Sequence, residues 1–215
     1  MFRDRDEAGV RLADDLEALA LTDPVVLALP RGGVPVALKV AERLKAPLDL
    51  ILVRKLGAPG NPELAAGAVV DGPAHTVVFN PGVLRAVGRS EEDFEPAIAA
   101  KLKEIETRRE KWLAGRAALP VAGRSVIVVD DGIATGATVR AALKGLADKG
   151  AAEVILAVPV APPDTLAELE ALCDQVICLE APRAFYAVGA HYRDFGQVAD
   201  DTVTMLLRQA RRNEE

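Results

Sequence analysis

The chain is poor in several residue types, and each shortage excludes something. It has two cysteines, Cys173 and Cys178, too few for a disulfide framework, and both read as small core hydrophobes. Its two histidines, His75 and His191, are too few to complete a zinc site with them. Aromatics make up 4% of the residues, so the core must rest on Ala, Val, Leu and Ile. No apolar run approaches the roughly 20 residues that a membrane helix needs. The N-terminus is crowded with charge (Arg3, Asp4, Arg5, Asp6, Glu7), unlike a signal peptide, and a cytoplasmic location is expected. Asn and Gln are scarce while Pro occurs fourteen times, a thermophile tendency. The net charge of −6 argues against nucleic acid as a default partner. One local excess of positive charge runs over residues 208–212. It reads either as a basic patch or as the solvated end of a helix, where cations suit the dipole.

What is present points to an α/β protein. Half of the 215 residues are hydrophobic, enough for one sizeable core, and a single domain over residues 1–215 is expected. Five short runs (25–29, 48–53, 126–129, 154–160 and 175–179) are almost continuously apolar, the pattern of strands buried on both faces. Helical patterns at 34–45, 138–149 and 164–173 lie between them. The alternation predicts three α/β/α layers around a mostly parallel sheet of about five strands. Residues 57–123 break the rhythm, and 71–123 read as an insertion that flanks or covers the sheet and is a candidate lid. A hairpin of 65–70 with 75–79 leads into it, and a long helix from Ser90 follows, with Ser90 and Asp93 as a capping box. Arg108, Arg109 and Lys111 near that helix's end complement its dipole.

The chemistry concentrates after the third run. Val126, Ile127, Val128 and Val129 lead into Asp130 and Asp131, then Gly132, Ile133, Ala134, Thr135, Gly136, Ala137 and Thr138, then a helix. A buried strand thus delivers two carboxylates to the carboxyl edge of a sheet, where open α/β folds bind ligands. A small-residue loop opening a helix offers backbone N–H groups to an anion, and Thr135 and Thr138 add hydroxyl donors. Two acids beside an anion make sense if the ligand is bifunctional. The acids suit a vicinal diol or a magnesium ion and the loop takes a phosphate, as ribose 5-phosphate would require. A P-loop would need a lysine here, and a dinucleotide site would need G-x-G-x-x-G; neither is present.

These thirteen residues resemble the signature of the type I phosphoribosyltransferases: four aliphatics, two acids, three variable residues and Thr-Gly-x-Thr. The resemblance implies that Asp130 and Asp131 hold the ribose hydroxyls and that Ala134, Thr135, Gly136, Ala137 and Thr138 cradle the 5-phosphate. Gly132 departs from the aliphatic residue usual in the family. Leu29, Pro30, Arg31, Gly32, Gly33 and Val34 match the loop that binds the donor's pyrophosphate, with Arg31 supplying charge and Pro30–Arg31 the candidate cis peptide. Arg54 and Lys55, read as the end of the second strand, are further cations for the donor or simple surface cations. The stretch 185–195 resembles the family's hood, placed at 180–205, with Tyr186 the best match for the ring that stacks on the base and Phe185 second.

The resemblance implies transfer of ribose 5-phosphate from 5-phosphoribosyl pyrophosphate to a nitrogenous base. Asp130, Asp131 and Arg31 would act at the reaction centre. Magnesium would be held mainly through the donor and also by Asp130 or Asp131, and the protein would be a homodimer. The acid that the purine enzymes carry in the phosphate loop is Ala134 here, and the lysine they use to read the base is missing from 161–172. The acceptor is therefore not named. A sensor of the donor or of a nucleotide, without efficient transfer, is the alternative, and a phosphotransferase using the aspartates is a third reading.

Overall fold

The computed structural model describes residues 1–72 and 75–214. The chain opens with α1 (Arg5–Glu17), β1 (Val25–Ala28), α2 (Gly33–Leu44) and β2 (Leu48–Leu50). Three strands follow: β3 (Val53–Ala58), β4 (Asn61–Val70) and β5 (Thr76–Phe79). Next come α3 (Pro81–Val87) and α4 (Glu95–Leu113). The chain then alternates through β6 (Ser125–Val129), α5 (Ala137–Leu146), β7 (Glu153–Val160), α6 (Pro163–Glu170) and β8 (Gln175–Glu180), and ends in α7 (Asp200–Glu214).

Five strands form one sheet in the order β2-β1-β6-β7-β8, every pair parallel. Burial on both faces explains the continuous apolar runs. Val26, Ile127 and Ile155 face one core cluster with Leu12, Val40 and Leu207. Their neighbours Val25, Val126 and Leu156 face the other, with Val139, Leu143 and Leu169. Burying one such side chain contributes about 1.5–3 kcal/mol. This is the three-layer α/β/α arrangement that the alternation predicts.

Two expectations need correction. The second apolar run is not one strand: β2 ends at Leu50, and Arg54 and Lys55 lie inside β3, paired opposite Val69 and Ala68 of β4. The run stays apolar because Ile51 and Leu52 are buried where the chain leaves the parallel sheet for a second, antiparallel one, β3-β4-β5. The expected hairpin of 65–70 with 75–79 is present as the antiparallel pair β4 and β5, and β3 adds a third strand on the other edge of β4. The long helix, too, begins at Glu95 rather than Ser90. A 3-10 turn over Glu92–Phe94 precedes it, Pro96 occupies its first turn where no N–H is needed, and Asp93 still accepts from Ser90 N at 2.9 Å.

A buried ion cluster ties α4 to the main sheet. Arg109 donates to Asp71 at 2.6 Å and reaches both carboxylate oxygens of Asp49 on β2 at 3.3 Å. Asp49, 1% exposed, also accepts from the backbone of Leu50 and Leu119, each at 2.8 Å. Burial raises the pKa of Asp71, against the pull of Arg109.

Candidate active site

At the carboxyl end of β6 the chain turns through Asp130 and Asp131, and Asp130 Oδ1 accepts the N–H of Asp131 at 2.9 Å. Gly132 adopts φ +151°, and a Cβ there would stand 2.5 Å from Val188 and 3.0 Å from Val160. The departure from an aliphatic residue thus answers to local packing. Gly136 caps α5 without any side-chain hydrogen bond, so the helix's first N–H groups have no side-chain acceptor at the cap. Ala134, Thr135, Ala137 and Thr138 are exposed beside it, and Ala134 O accepts from Thr165 Oγ1 at 3.0 Å.

The turn after β1 packs against these acids. The Pro30–Arg31 bond is cis, as expected. A Cβ on Gly32 would fall 2.0 Å from Asp131 Oδ2, and one on Gly33 2.7 Å from Val129 O. Only glycine lets this turn approach so closely. Arg31 reaches Asp200 at 3.5 Å, and Asp200 pairs with Lys111 at 2.6 Å. The hydrogen bond from Lys111 lowers the pKa of Asp200.

The N-terminus contributes a residue that no motif announced. Asp4 caps α1 by accepting from Glu7 N at 2.8 Å, which starts the helix at Arg5. Arg5 Nε donates to Asp131 Oδ2 at 2.7 Å, and its Nη1 donates to Gly196 O at 2.8 Å. The guanidinium lies 3.9 Å from the centre of the Phe195 ring. Phe195 stacks on Tyr192, whose hydroxyl donates to Asp131 O at 2.6 Å. Tyr192 pairs in turn with Phe2 through a parallel β-bridge. Burial holds the Tyr192 phenol well above its usual range, so it remains a donor.

Arg5, Arg31, Gly32, Asp130, Asp131 and Phe195 line a cleft of about 550 Å³. Both acids in it are hard to ionise. Burial, and then the charge of Asp131, pushes Asp130 well up; burial also raises Asp131, against the hydrogen bond and charge of Arg5. A larger concavity, about 790 Å³, lies elsewhere, between α4 and α7. We place the chemistry in the smaller one because it holds two carboxylates at the sheet's carboxyl edge.

The cleft thus gathers four of the expected site residues, Arg31, Gly32, Asp130 and Asp131, with Gly33 packed behind them and the loop of Ala134 to Thr138 following on. It does not gather Arg54, Lys55 or Tyr186. Arg54 pairs with Glu104 at 3.6 Å and Lys55 with Glu63 at 3.3 Å on the second sheet, and Tyr186 is 92% exposed. Phe185 stacks on His191 instead. The aromatic that borders the cleft is Phe195, at the end of the segment likened to the hood.

Among the described residues, no group of three or more His, Cys, Asp or Glu side chains could hold a metal ion. Two carboxylates, one of them already given to Arg5, do not build a magnesium cage. They do suit a cation that brings most of its oxygens from a phosphorylated ligand.

The family model for phosphoribosyl transferase domains matches residues 11–193. A Mycobacterium tuberculosis protein, provisionally named a phosphoribosyl transferase, is 45% identical over 213 residues, 99% of this chain. The chain spans about half of that relative's length, 48%. The crystal structure of a Thermus thermophilus protein, TT1426, superposes with a TM-score of 0.83 at 45% identity, over 97% of this chain and 98% of that one. By its fold, its signature segment and the extent of the family match, this chain belongs to the phosphoribosyl transferase domain family.

Proposed function

We propose that the protein transfers ribose 5-phosphate from 5-phosphoribosyl pyrophosphate to a nitrogenous base. The acceptor nitrogen forms a bond to the anomeric carbon while the carbon–oxygen bond to pyrophosphate breaks. The bonding pair leaves with pyrophosphate, and the acceptor nitrogen gives up its proton. The observation that carries this reading is the meeting, on one sheet edge, of two carboxylates with an uncapped helix N-terminus. The carboxylates fit the ribose hydroxyls, and the N–H groups with Thr135 and Thr138 fit the 5-phosphate. Arg31 supplies charge for the pyrophosphate, and the two acids favour the positive charge that develops on the sugar. Magnesium, carried on the donor, would neutralise the leaving group, and a bound cation would favour the ionised form of Asp130, the nearby acid that Arg5 does not hold.

The test is pyrophosphate release from the donor with magnesium and a panel of purine and pyrimidine bases. Asp130→Asn with Asp131→Asn is expected to lower turnover by about 100-fold or more while leaving the fold intact. Unchanged turnover overturns the assignment. One observation favours a sensor of the same ligands instead: Arg5 already occupies an oxygen of Asp131. Tight donor binding with no pyrophosphate release from any base would select that reading.

A further inference from the structure

Four cations that play no part in the cleft line the concavity between α4 and α7: Lys111 from α4, and Arg208, Arg211 and Arg212 from α7. The three arginines are exposed and fall at helical spacing on one face together with Asp201 and Thr204. Among the described residues none of the three has an ion-pair partner, and Lys111 has Asp200. One acid, Asp201, lines the groove against four cations, in a chain whose net charge is −6. The helix dipole favours cations in a last turn, and Lys111 stands in the last turn of α4 as Arg211 and Arg212 stand in that of α7; the dipole does not explain why the two cationic ends border one groove.

A second observation is independent of the charge. Trp112 is 3% exposed, and its indole N–H has no hydrogen-bond acceptor among the described residues. A buried donor left unmatched is uncommon and calls for an explanation. Trp112 lines a recess of about 40 Å³ that shares Lys111, Thr204, Arg208 and Arg211 with the larger groove. Cations therefore border a recess that the unmatched tryptophan lines, while the Thr204 hydroxyl there already donates to Asp200 O at 3.2 Å.

We propose that this groove binds a small molecule carrying a di- or triphosphate, at a site separate from the cleft. At about 790 Å³ the groove has the size of a small-molecule site. Arginines bind phosphate oxygens in paired contacts, and three along one helix match a chain of phosphates better than a single one. The acidic chain as a whole disfavours a nucleic acid on the same face.

Trp112 is the chain's one tryptophan, so its emission reports on this groove. The probe is inorganic triphosphate, titrated into the whole chain at low ionic strength. A saturable change in emission is expected, retained in Asp130→Asn with Asp131→Asn. In Arg208→Ser with Arg211→Ser, at surface positions, the affinity is expected to fall about tenfold or more, with an unchanged thermal transition. A flat titration without calorimetric heat overturns the proposal. So does a response that survives loss of the two arginines, because the anion then sits elsewhere. Tighter binding of a DNA duplex than of triphosphate on the same arginines overturns it in favour of a nucleic acid.

Discussion

Asp49 and Asp71 form one carboxylate pair in this protein, and Asp130 and Asp131 form another. Both pairs lie at or beside the ends of strands, and both are largely withdrawn from water. The difference is in what surrounds them. Asp49 and Asp71 share Arg109, Arg116 stands 3.5 Å from Asp49, and backbone N–H groups fill further lone pairs. Asp130 accepts from the neighbouring peptide and its carboxyl meets that of Asp131, to which Arg5 brings the paired cation. The first pair is matched with cations and works as a clamp between α4 and the sheet. The second is left short of positive charge at the mouth of a cleft, where a ligand can complete it. Carboxylates of one chemistry thus end up matched or open to a partner according to how many donors the fold gives them.

The largest expected break in this contrast comes from Asp49→Ala. It strands Arg109 without one of its acids in the interior, and a loss of about 3–5 kcal/mol is expected in urea unfolding. A loss below about 1 kcal/mol would mean that the clamp holds nothing. Next is Arg5→Ala. Without Arg5, Asp131 loses the hydrogen bond that orients it and the charge that opposes its burial. Affinity for ribose 5-phosphate in calorimetry is expected to drop about tenfold, near 1.4 kcal/mol, and to recover partly in Arg5→Lys. Tighter binding would mean that Arg5 blocks the acid rather than presenting it.

Asp130→Asn should do the opposite to stability. Because the folded protein holds the Asp130 proton more tightly than the unfolded chain, stability falls as pH rises from the ordinary carboxylate range into the raised one. At neutral pH the amide removes that penalty. A gain of about 1 kcal/mol, roughly 2–4 °C in Tm, is expected at pH 7 and should vanish below about pH 4. A variant no more stable at pH 7 than the parent would show that Asp130 is already satisfied. The smallest effect belongs to Lys55→Ala. Its exposed pair with Glu63 contributes at most about 0.5 kcal/mol, and ribose 5-phosphate affinity is expected to stay unchanged. A clear loss of affinity would bring Lys55 back to the donor.

The parallel sheet was legible in the sequence because burial on both faces leaves uninterrupted apolar runs, as at Val126 to Val129. The signature segment was legible because one strand, one turn and one helix hold all its groups within thirteen residues. The junction at Ile51 and Leu52 was not, since a chain crossing between two sheets stays as apolar as one continuing through a strand. Nor was Arg5, which meets Asp131 from 126 positions away and lies outside the family match. An arginine at the start of an amphipathic helix carries no local mark of the acid it will find. Phe195 left a faint signal, as one of several aromatics in a stretch already singled out; the resemblance to the family's hood favoured Tyr186 over it.

The bridge between Phe2 and Tyr192 has a consequence for the order of events during synthesis. Arg5 leaves the ribosome long before Phe195 and Tyr192, which emerge when nearly all the strands are out. Contacts this distant in the chain form late, because closing so long a loop is costly before other contacts reward it. Until they form, Asp131 lacks its tyrosine and its oriented arginine. A nascent chain with a finished central sheet would therefore still lack the completed cleft, and a ligand that needs this cleft cannot chaperone the early stages of folding.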